Sequence, residues 1–385
     1  MKNHIVCLST TNYHPLPTRK QNVMSRLRNS EILYFDPPVS MIAPLKDKKA
    51  SAYIEKYKQP GEKVEGHENI TVYALPPVLP FFNKFRWINK LNQRRMARFV
   101  RRKMQAHGFT DAVLWVYSPV TADLVDLVPH KGLVYDCVDR HSAYGGLMDP
   151  TLVDRMELEL AGKTDRTFAT ADALAERLRA AQPNTVMIPN GANFERFVQA
   201  AQPQPVPEDL RDIPHPIFGF VGALQSCIEY DYLEAAAKAR PDWSFVLIGK
   251  EKPGVDLTAL HAMPNVHFLG LKPNEQLPQY LAHFDACLNL FAKSDLSKDV
   301  SPLKFYEYLA TGHPIVSTRQ PDQILQYAPL IEIADSPEEF IAACEASLTD
   351  TAPERPKARI EAGRACSWDS RVAQMCEILQ EQGIL

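Results

Sequence analysis

The chain has 385 residues, 45% hydrophobic and 23% charged, with a formal net charge of −3. That length suits two domains with ample core material, and so balanced a charge provides no global field for nucleic acid. Seven cysteines stand singly, without a C-x-x-C pair, and read as reduced, buried thiols of a cytoplasmic protein rather than a disulfide framework or a zinc site. No apolar run has the length of a membrane span, and "MKNHIVCLSTTNYHP" reads as a strand rather than a signal peptide.

In chain order, "HIVCLST", "EILYFDPP", "ITVYALP", "AVLWVYS", "GLVYDCVD", "RTFATA" and "TVMIPNG" are predicted strands. Helical patterns fall between them near 18–29, 83–106, 150–163 and 171–181. A proline-rich stretch over 201–216 reads as a linker. The alternation then resumes with "IFGFVGAL", "SFVLIGK", "NVHFLG", "ACLNLF", "PIVSTR" and "LIEIAD". Continuous Val, Ile, Leu and Phe runs separated by helices imply parallel sheets covered on both faces. The expected architecture is α/β, with two Rossmann-like domains, 1–200 and 214–365, facing across a ligand cleft. The segment 366–385 is expected to be a helix packing back on the N-terminal domain. A nicotinamide enzyme is disfavoured, because neither "VCLSTTNYHP" nor "VGALQSC" offers GxGxxG after a strand.

Three places along this alternation hold chemistry. Thr18, Arg19 and Lys20 follow the first strand, at the carboxyl end where parallel sheets bind ligands; a plain helix start with Thr18 as N-cap is the competing reading. Asp139 ends "GLVYDCVD" at the same end of the sheet, with Arg140, His141 and a glycine-containing "AYGG" behind it. Asp139 is a candidate general base, with His141 as a second candidate or a group that positions sugars; a loop Asp–Arg pair without catalytic part competes. Asp136 alternates away and reads as structural. The third place is "DVSPLKFYEYLATGHP", residues 299–314. Ser301 suits an N-cap, Pro302 the first helical position, and Gly312 with Pro314 the stop. The helix over 302–311 would offer free N–H groups and a positive dipole end to an anion. Lys304 opposes that dipole unless an anion is shared, and Glu307 lies on its face at i+3, so a solvent-exposed ion pair is the bland alternative.

From Asn83 to Met104 the chain carries nine Lys or Arg and no acid. Arg86, Lys90, Arg94, Arg98 and Arg102 recur every fourth residue, while Ile88, Leu91, Met96, Phe99, Val100 and Met104 supply an apolar side for the sheet. Phe81 and Phe82 sit in a loop just upstream. The row is expected to lie on an anionic membrane surface, with a solvated helix face as the alternative; aromatic and basic residues do not interleave as a nucleic-acid groove requires.

Several of these stretches resemble signatures of GT-B glycosyltransferases. "IPNGANFERF" at 188–197 is similar to the PNG signature that ends their N-terminal domain. "NVHFLGLKPNEQLPQYLAHFDACLNLF" is similar to their nucleotide-base loop and following helix. "DVSPLKFYEYLATGHPIVST" resembles their donor-site helix, with Asp299 and Glu307 at the usual spacing but aspartate replacing the first glutamate. "LPTRKQNVMSRL" and "VYDCVDRHSAYGG" resemble the teichuronic-acid-type branch of envelope-polysaccharide transferases. The likeness runs over nearly the whole chain.

The resemblance implies a GT-B fold, a nucleotide diphosphate sugar as donor (UDP-linked most commonly), and a lipid-linked or polysaccharide acceptor in bacterial envelope synthesis. The enzyme is then expected to be cytoplasmic, peripheral on the inner membrane face, and to need neither cofactor nor metal, since no DxD-like pair ends a strand. It implies that Glu307 accepts from the donor ribose. Lys304, with the N–H groups near Ser301 and Leu303, would hold the diphosphate, and Asp299 would orient the donor sugar. Gly222 would let backbone approach the donor, with a core-strand glycine as the competing reading, and Leu271 and Lys272 would line the base pocket. The loop "ALQSCIEYD" after Gly222 lacks the basic residue common in the family, which leaves Lys304 to meet the phosphates alone. Thr18, Arg19 and Lys20 would then contact the acceptor. A GT-B-shaped nucleotide-sugar epimerase is the alternative, and the basic helix argues against it.

Overall fold

A computed structural model describes residues 2–15, 17–45, 50–143, 148–294, 297–350 and 352–385. The "AYGG" expectation falls on Ala143–Gly146, of which only Ala143 lies within the described residues. The chain forms two compact units, Met1–Pro189 with Val372–Leu385, and Asn190–Arg371.

In the first unit the strands are β1 (Asn3–Leu8), β2 (Ser30–Asp36), β3 (Glu62–Val64), β4 (His67–Ala74), β5 (Ala112–Val116), β6 (Gly132–Cys137), β7 (Arg166–Ala169) and β8 (Val186–Met187). They pair in the order β3-β4-β2-β1-β5-β6-β7-β8. All pairings are parallel except β3 with β4. Helices α1 (Arg19–Arg26), α2 (Ala50–Lys56), α3 (Arg86–Ala106), α4 (Pro150–Lys163) and α5 (Asp172–Arg179) connect them. Strand order reverses between β1 and β5, the point at which a wound sheet opens a ligand crevice at its carboxyl edge. Strand β5, "AVLWV", is buried throughout, as a central parallel strand covered on both faces must be.

The second unit pairs β9 (Ile217–Val221), β10 (Ser244–Ile248), β11 (Val266–Gly270), β12 (Ala286–Asn289), β13 (Ile315–Thr318) and β14 (Glu332–Ala334) in the order β11-β10-β9-β12-β13-β14, all parallel. This is the doubly wound order 3-2-1-4-5-6, with its switch point between β9 and β12. Its helices are α6 (Phe194–Phe197), α7 (Tyr230–Ala239), α8 (Thr258–His261), α9 (Leu277–Leu281), α10 (Leu303–Thr311), α11 (Pro337–Leu348) and α12 (Glu354–Ala365). The final helix, α13 (Trp368–Glu381), starts in this unit and ends in the first. There Ile384 packs against Gly132, and the Arg166 guanidinium donates to Gln382 at 2.7 Å.

The proline-rich stretch is not an open linker. Ala200 and Leu210 are buried in the second unit's core beside Phe194 and Phe197. That unit therefore begins at Asn190, within the "PNG" segment.

Candidate active site

Helix α10 starts at Leu303 with Pro302 at its N-cap, and among the described residues it has no side-chain cap hydrogen bond. Ser301, expected to be that cap, is otherwise engaged. Its hydroxyl accepts the Asn190 backbone N–H at 2.9 Å, and the Asn190 amide donates to the Ser301 carbonyl at 3.1 Å. The "PNG" loop thus pins the entry of α10 from 111 residues away in sequence, which no local capping signal could reveal. Gly312 closes the helix in the left-handed conformation, φ 77°, with its N–H on the Leu309 carbonyl, as a C-cap glycine does.

Lys304 and Glu307 form the i,i+3 ion pair weighed as the bland alternative, Nζ to Oε2 at 2.9 Å. Glu307 is buried while Lys304 stays partly open to solvent. The arrangement keeps an ammonium and a carboxylate together in the first turns of an uncapped helix, on the carboxyl side of the sheet. Asp299 is buried in the turn Ser297–Asp299 just before it. Gly222 follows β9 and gives its N–H to the Ile248 carbonyl at 2.9 Å. The close approach at these strand ends belongs to Gly249, a residue the sequence reading passed over: a Cβ there would lie 1.7 Å from the Gly222 carbonyl oxygen. Leu271 is 74% exposed. Lys272 is held by Asp209, which also accepts from the Tyr280 hydroxyl at 2.8 Å, so its ammonium is committed and only its backbone remains for a ligand.

In the first unit, Thr18 is the N-cap of α1, and its backbone N–H donates to the Gln21 side chain at 2.8 Å. The capping reading of Thr18 is therefore present in the structure. Arg19 departs from the expected acceptor contact. It is 2% exposed, its Nε lies 2.9 Å from the Asp136 carboxylate, and its Nη1 donates to the Pro189 carbonyl at 2.9 Å. The partner is the aspartate read as structural, and burial of the pair takes Arg19 out of reach of solvent. Lys20 is also buried. Desolvation lowers its pKa, opposed by the Asp139 and Asp136 carboxylates, and its Nζ stands 5.6 Å from the centre of the Tyr117 ring.

Asp139 is exposed just past the end of β6. His141 follows in a short turn, its Nδ1 3.8 Å from the Glu157 carboxylate. Burial lowers the His141 pKa, Glu157 pulling the other way, so the imidazole is neutral at neutral pH. Glu157, on α4 and wholly buried, is held by the Tyr135 hydroxyl, the Arg177 guanidinium and the Cys137 thiol. Sequence reasoning missed it, because a glutamate inside "DRMELELAGK" looks like a solvent-facing helix residue. Among the described residues, no group of three or more His, Cys, Asp or Glu gathers as metal ligands.

Helix α3 redistributes the basic row. Lys90, Arg94, Arg98 and Arg102 are exposed as expected. Arg86 is not part of that face. Its guanidinium donates to Asp123 at 3.0 Å and to Glu159 at 2.7 Å. Phe81 is exposed, but Phe82 turns inward against the core. Leu91, assigned to the sheet side, is exposed together with Trp87 one turn earlier, the latter by 64%. Asn89, Asn92 and Gln93 take the inward positions instead: Asn89 donates to the Val120 carbonyl, and Asn92 exchanges both of its amide hydrogen bonds with Leu79. Among the described residues no helix is long and apolar enough to cross a membrane.

Residues 215–350 match a family described as glycosyl transferases group 1. A teichuronic acid biosynthesis glycosyltransferase of Bacillus subtilis strain 168, TuaH, is 26% identical over 279 residues, covering 68% of this chain and 70% of that protein. Among solved structures, a sucrose-phosphate synthase of Thermosynechococcus elongatus superposes with a TM-score of 0.70 at 14% identity, covering 99% of each chain. HepE of Anabaena, solved with UDP and glucose, gives 0.63 at 16%, covering 98% of this chain and 99% of its own. These likenesses establish the fold as GT-B, and the matched family and the Bacillus relative are both described as glycosyltransferases.

Proposed function

We propose that this GT-B glycosyltransferase, of the kind that builds cell-envelope polysaccharide, moves a sugar from a nucleoside diphosphate donor, UDP-linked, to a lipid-linked acceptor. HepE and other structures of this fold are described with UDP or a UDP-sugar bound, which favours uridine over other bases. The observation that carries the reading is the uncapped start of α10 with Lys304 and Glu307 paired beside it. In the reaction the bond between the sugar's anomeric carbon and the diphosphate oxygen breaks, and a bond from that carbon to an acceptor oxygen forms. The α10 N–H groups and Lys304 meet the charge that gathers on the departing diphosphate, in place of a metal ion. Glu307 turns from Lys304 to the ribose hydroxyls, and Asp299 orients the donor sugar, while the Leu271–Lys272 backbone and Gly222 border the nucleotide.

The first unit supplies the acceptor side. Asp139 takes the acceptor hydroxyl's proton, and the neutral His141 imidazole beside it is a second group able to do so. Thr18 and Lys20 border the acceptor. The exposed face of α3, with Lys90, Arg94, Arg98 and Arg102 around Phe81, Phe85, Trp87 and Leu91, rests on the anionic inner face of the cytoplasmic membrane, where each basic residue near the surface contributes about 1 kcal/mol.

A thermal-shift panel of UDP, GDP, dTDP, CMP and NAD tests the donor half. Stabilisation by one nucleoside diphosphate, absent in Lys304→Ala, is the expected result; a ligand at a hundred times its Kd adds about 2.7 kcal/mol. Stabilisation by NAD, or by none of them, would remove the donor site from α10. Retention on anionic liposomes at low salt tests the membrane half, and a protein left wholly in the supernatant would overturn it.

A further inference from the structure

Helix α12 packs on α10 without an apolar stripe. Its sequence, "ERPKARIEAGRA", is mostly charged residues and alanine, and its buried residues are Arg359 and Gly363. Four positions apart, they share one face of the helix, and that face meets the last turn of α10. Arg359 is 1% exposed and uses all three guanidinium nitrogens. Its Nε donates to the Leu330 carbonyl at 2.7 Å, its Nη1 to the Gly312 carbonyl at 3.2 Å, and its Nη2 to the Asp350 carboxylate. Gly312 is the C-cap of α10, so a cation stands at the negative end of that helix.

Gly363 brings the two backbones into contact. A Cβ there would lie 2.6 Å from the Ala310 nitrogen and 2.7 Å from the Ala310 Cα. One turn earlier, Ile360 and the Pro356 carbonyl close on Gly312, where a Cβ would meet them at 3.1 and 3.2 Å. Stability alone does not account for these choices. A glycine inside a helix weakens it relative to alanine, and a buried ion pair is often no more stabilising than apolar residues of the same volume. What the two residues provide is position. A backbone contact has no side chain that can yield, and a guanidinium held by three separate segments cannot slide as repacking apolar side chains can.

The rest of α10 is tied to the same unit. The Tyr308 hydroxyl accepts the Val221 N–H at 2.8 Å, at the end of β9, and Asn190 holds Ser301 just ahead of the first turn. With nine residues the helix is about 13 Å long at 1.5 Å per residue, and a rod that short carries a displacement of its last turn to Leu303 and Lys304. We infer that Arg359 and Gly363 are positioning residues for the donor, fixing α10 so that its first-turn N–H groups and Lys304 stand where the diphosphate binds. This rests on the donor reading of α10 above and assigns the contact that sets its geometry. Both residues act through the helix and not by touching the nucleotide.

The test is calorimetry of UDP, with uridine measured by competition, on the full chain well below each variant's melting midpoint, where stability no longer affects the result. Gly363→Ala drives a methyl group into the Ala310 backbone. It should weaken UDP about tenfold, the order expected of a displaced binding group, while uridine, which has no phosphate, holds its affinity. Arg359→Met with Asp350→Asn removes the guanidinium together with its counter-charge and should show the same selective loss; this variant carries the test alone if Gly363→Ala does not fold. Lys357→Ala, on the exposed face of α12, should change neither ligand. In a Lys304→Ala background Gly363→Ala should cost UDP less than it does alone, because one of the contacts that it displaces is already gone. Equal weakening of UDP and uridine, or unchanged UDP affinity in both α12 variants, would overturn the inference. A wild type that binds no nucleoside diphosphate would break the donor reading instead, and leave a fixed helix without a ligand.

Discussion

Helices α1 and α10 invite comparison, because each follows a loop at the carboxyl end of a parallel sheet and each places a lysine at its second residue, Lys20 and Lys304. The first helix is closed on itself: Thr18 caps it with Gln21, and Arg19 is neutralised by Asp136. The second has no side-chain cap, and its flanking Ser301 is held outward by Asn190. Two helix starts with a lysine at the same position thus differ: one closes on its own capping box, and the other has no side-chain cap among the described residues. Free N–H groups and a dipole end bind anions only when the protein has not already supplied the acceptor.

The largest way to break this contrast is at Arg19. Arg19→Met leaves the Asp136 carboxylate buried without its partner and should cost about 3–5 kcal/mol of stability, read as a fall in the denaturant midpoint. Removing both charges in Arg19→Met with Asp136→Asn should recover most of that loss. A single variant as stable as wild type would mean that the pair is not the anchor of α1. Lys304→Ala should behave in the opposite manner. Its ion pair with Glu307 is partly exposed and contributes little to folding, but its loss should weaken the nucleoside diphosphate by about 1.5–3 kcal/mol, roughly 10–150-fold in Kd by calorimetry. An unfolding midpoint that drops sharply while nucleotide affinity holds would reverse the roles assigned to the two lysines.

Lys20 sharpens the comparison further. Its ammonium is buried and its pKa lowered by desolvation, so charge there opposes folding. Lys20→Met should raise the melting temperature, and, if the acceptor reading holds, lower the transfer rate in the same variant, an exchange of stability for function. A smaller effect concerns pH. His141 and His313 both have pKa values lowered from 6.5 by burial. The unfolded chain therefore binds their protons first, and the stability they contribute is fully present above about pH 6.5 and is lost as pH falls through their folded values. The melting temperature should decline between pH 7 and pH 5, and His141→Phe should flatten that decline. A flat profile in wild type would mean that neither imidazole is held neutral.

How much of this was legible in the sequence follows from the range of each interaction. The apolar runs identify the strands because burial on both faces is written residue by residue, as in β5. Strand β3, "EKV", has no such run and pairs only at the antiparallel edge, so nothing local marks it. The end of α10 is legible at Gly312, but its beginning misleads, since the hydroxyl that looks like a cap serves Asn190 across 111 residues. Arg19 with Asp136, 117 residues apart, fails to appear for the same reason. The periodicity of α3 is read correctly as a helix and incorrectly at Leu91, because Asn89 and Asn92 turn inward to hydrogen-bond the loops around them, and Gln93 turns inward to hydrogen-bond Asn89 on the same helix.

The smallest predicted change converts one helix start into the other. Pro302→Asp places an acceptor at the N-cap of α10, the job Thr18 and Gln21 share at α1. A side-chain oxygen there should hydrogen-bond a first-turn N–H and complement the dipole, adding about 0.5–1 kcal/mol to stability. The same carboxylate would occupy the anion position and repel a diphosphate, so nucleotide stabilisation should shrink although Lys304 and Glu307 are untouched. Thermal scans with and without UDP separate the two effects: the apo midpoint should rise while the UDP-dependent shift falls. A variant in which both rise would show that the diphosphate does not sit at the mouth of α10, and the difference between the two helix starts would then be one of folding alone.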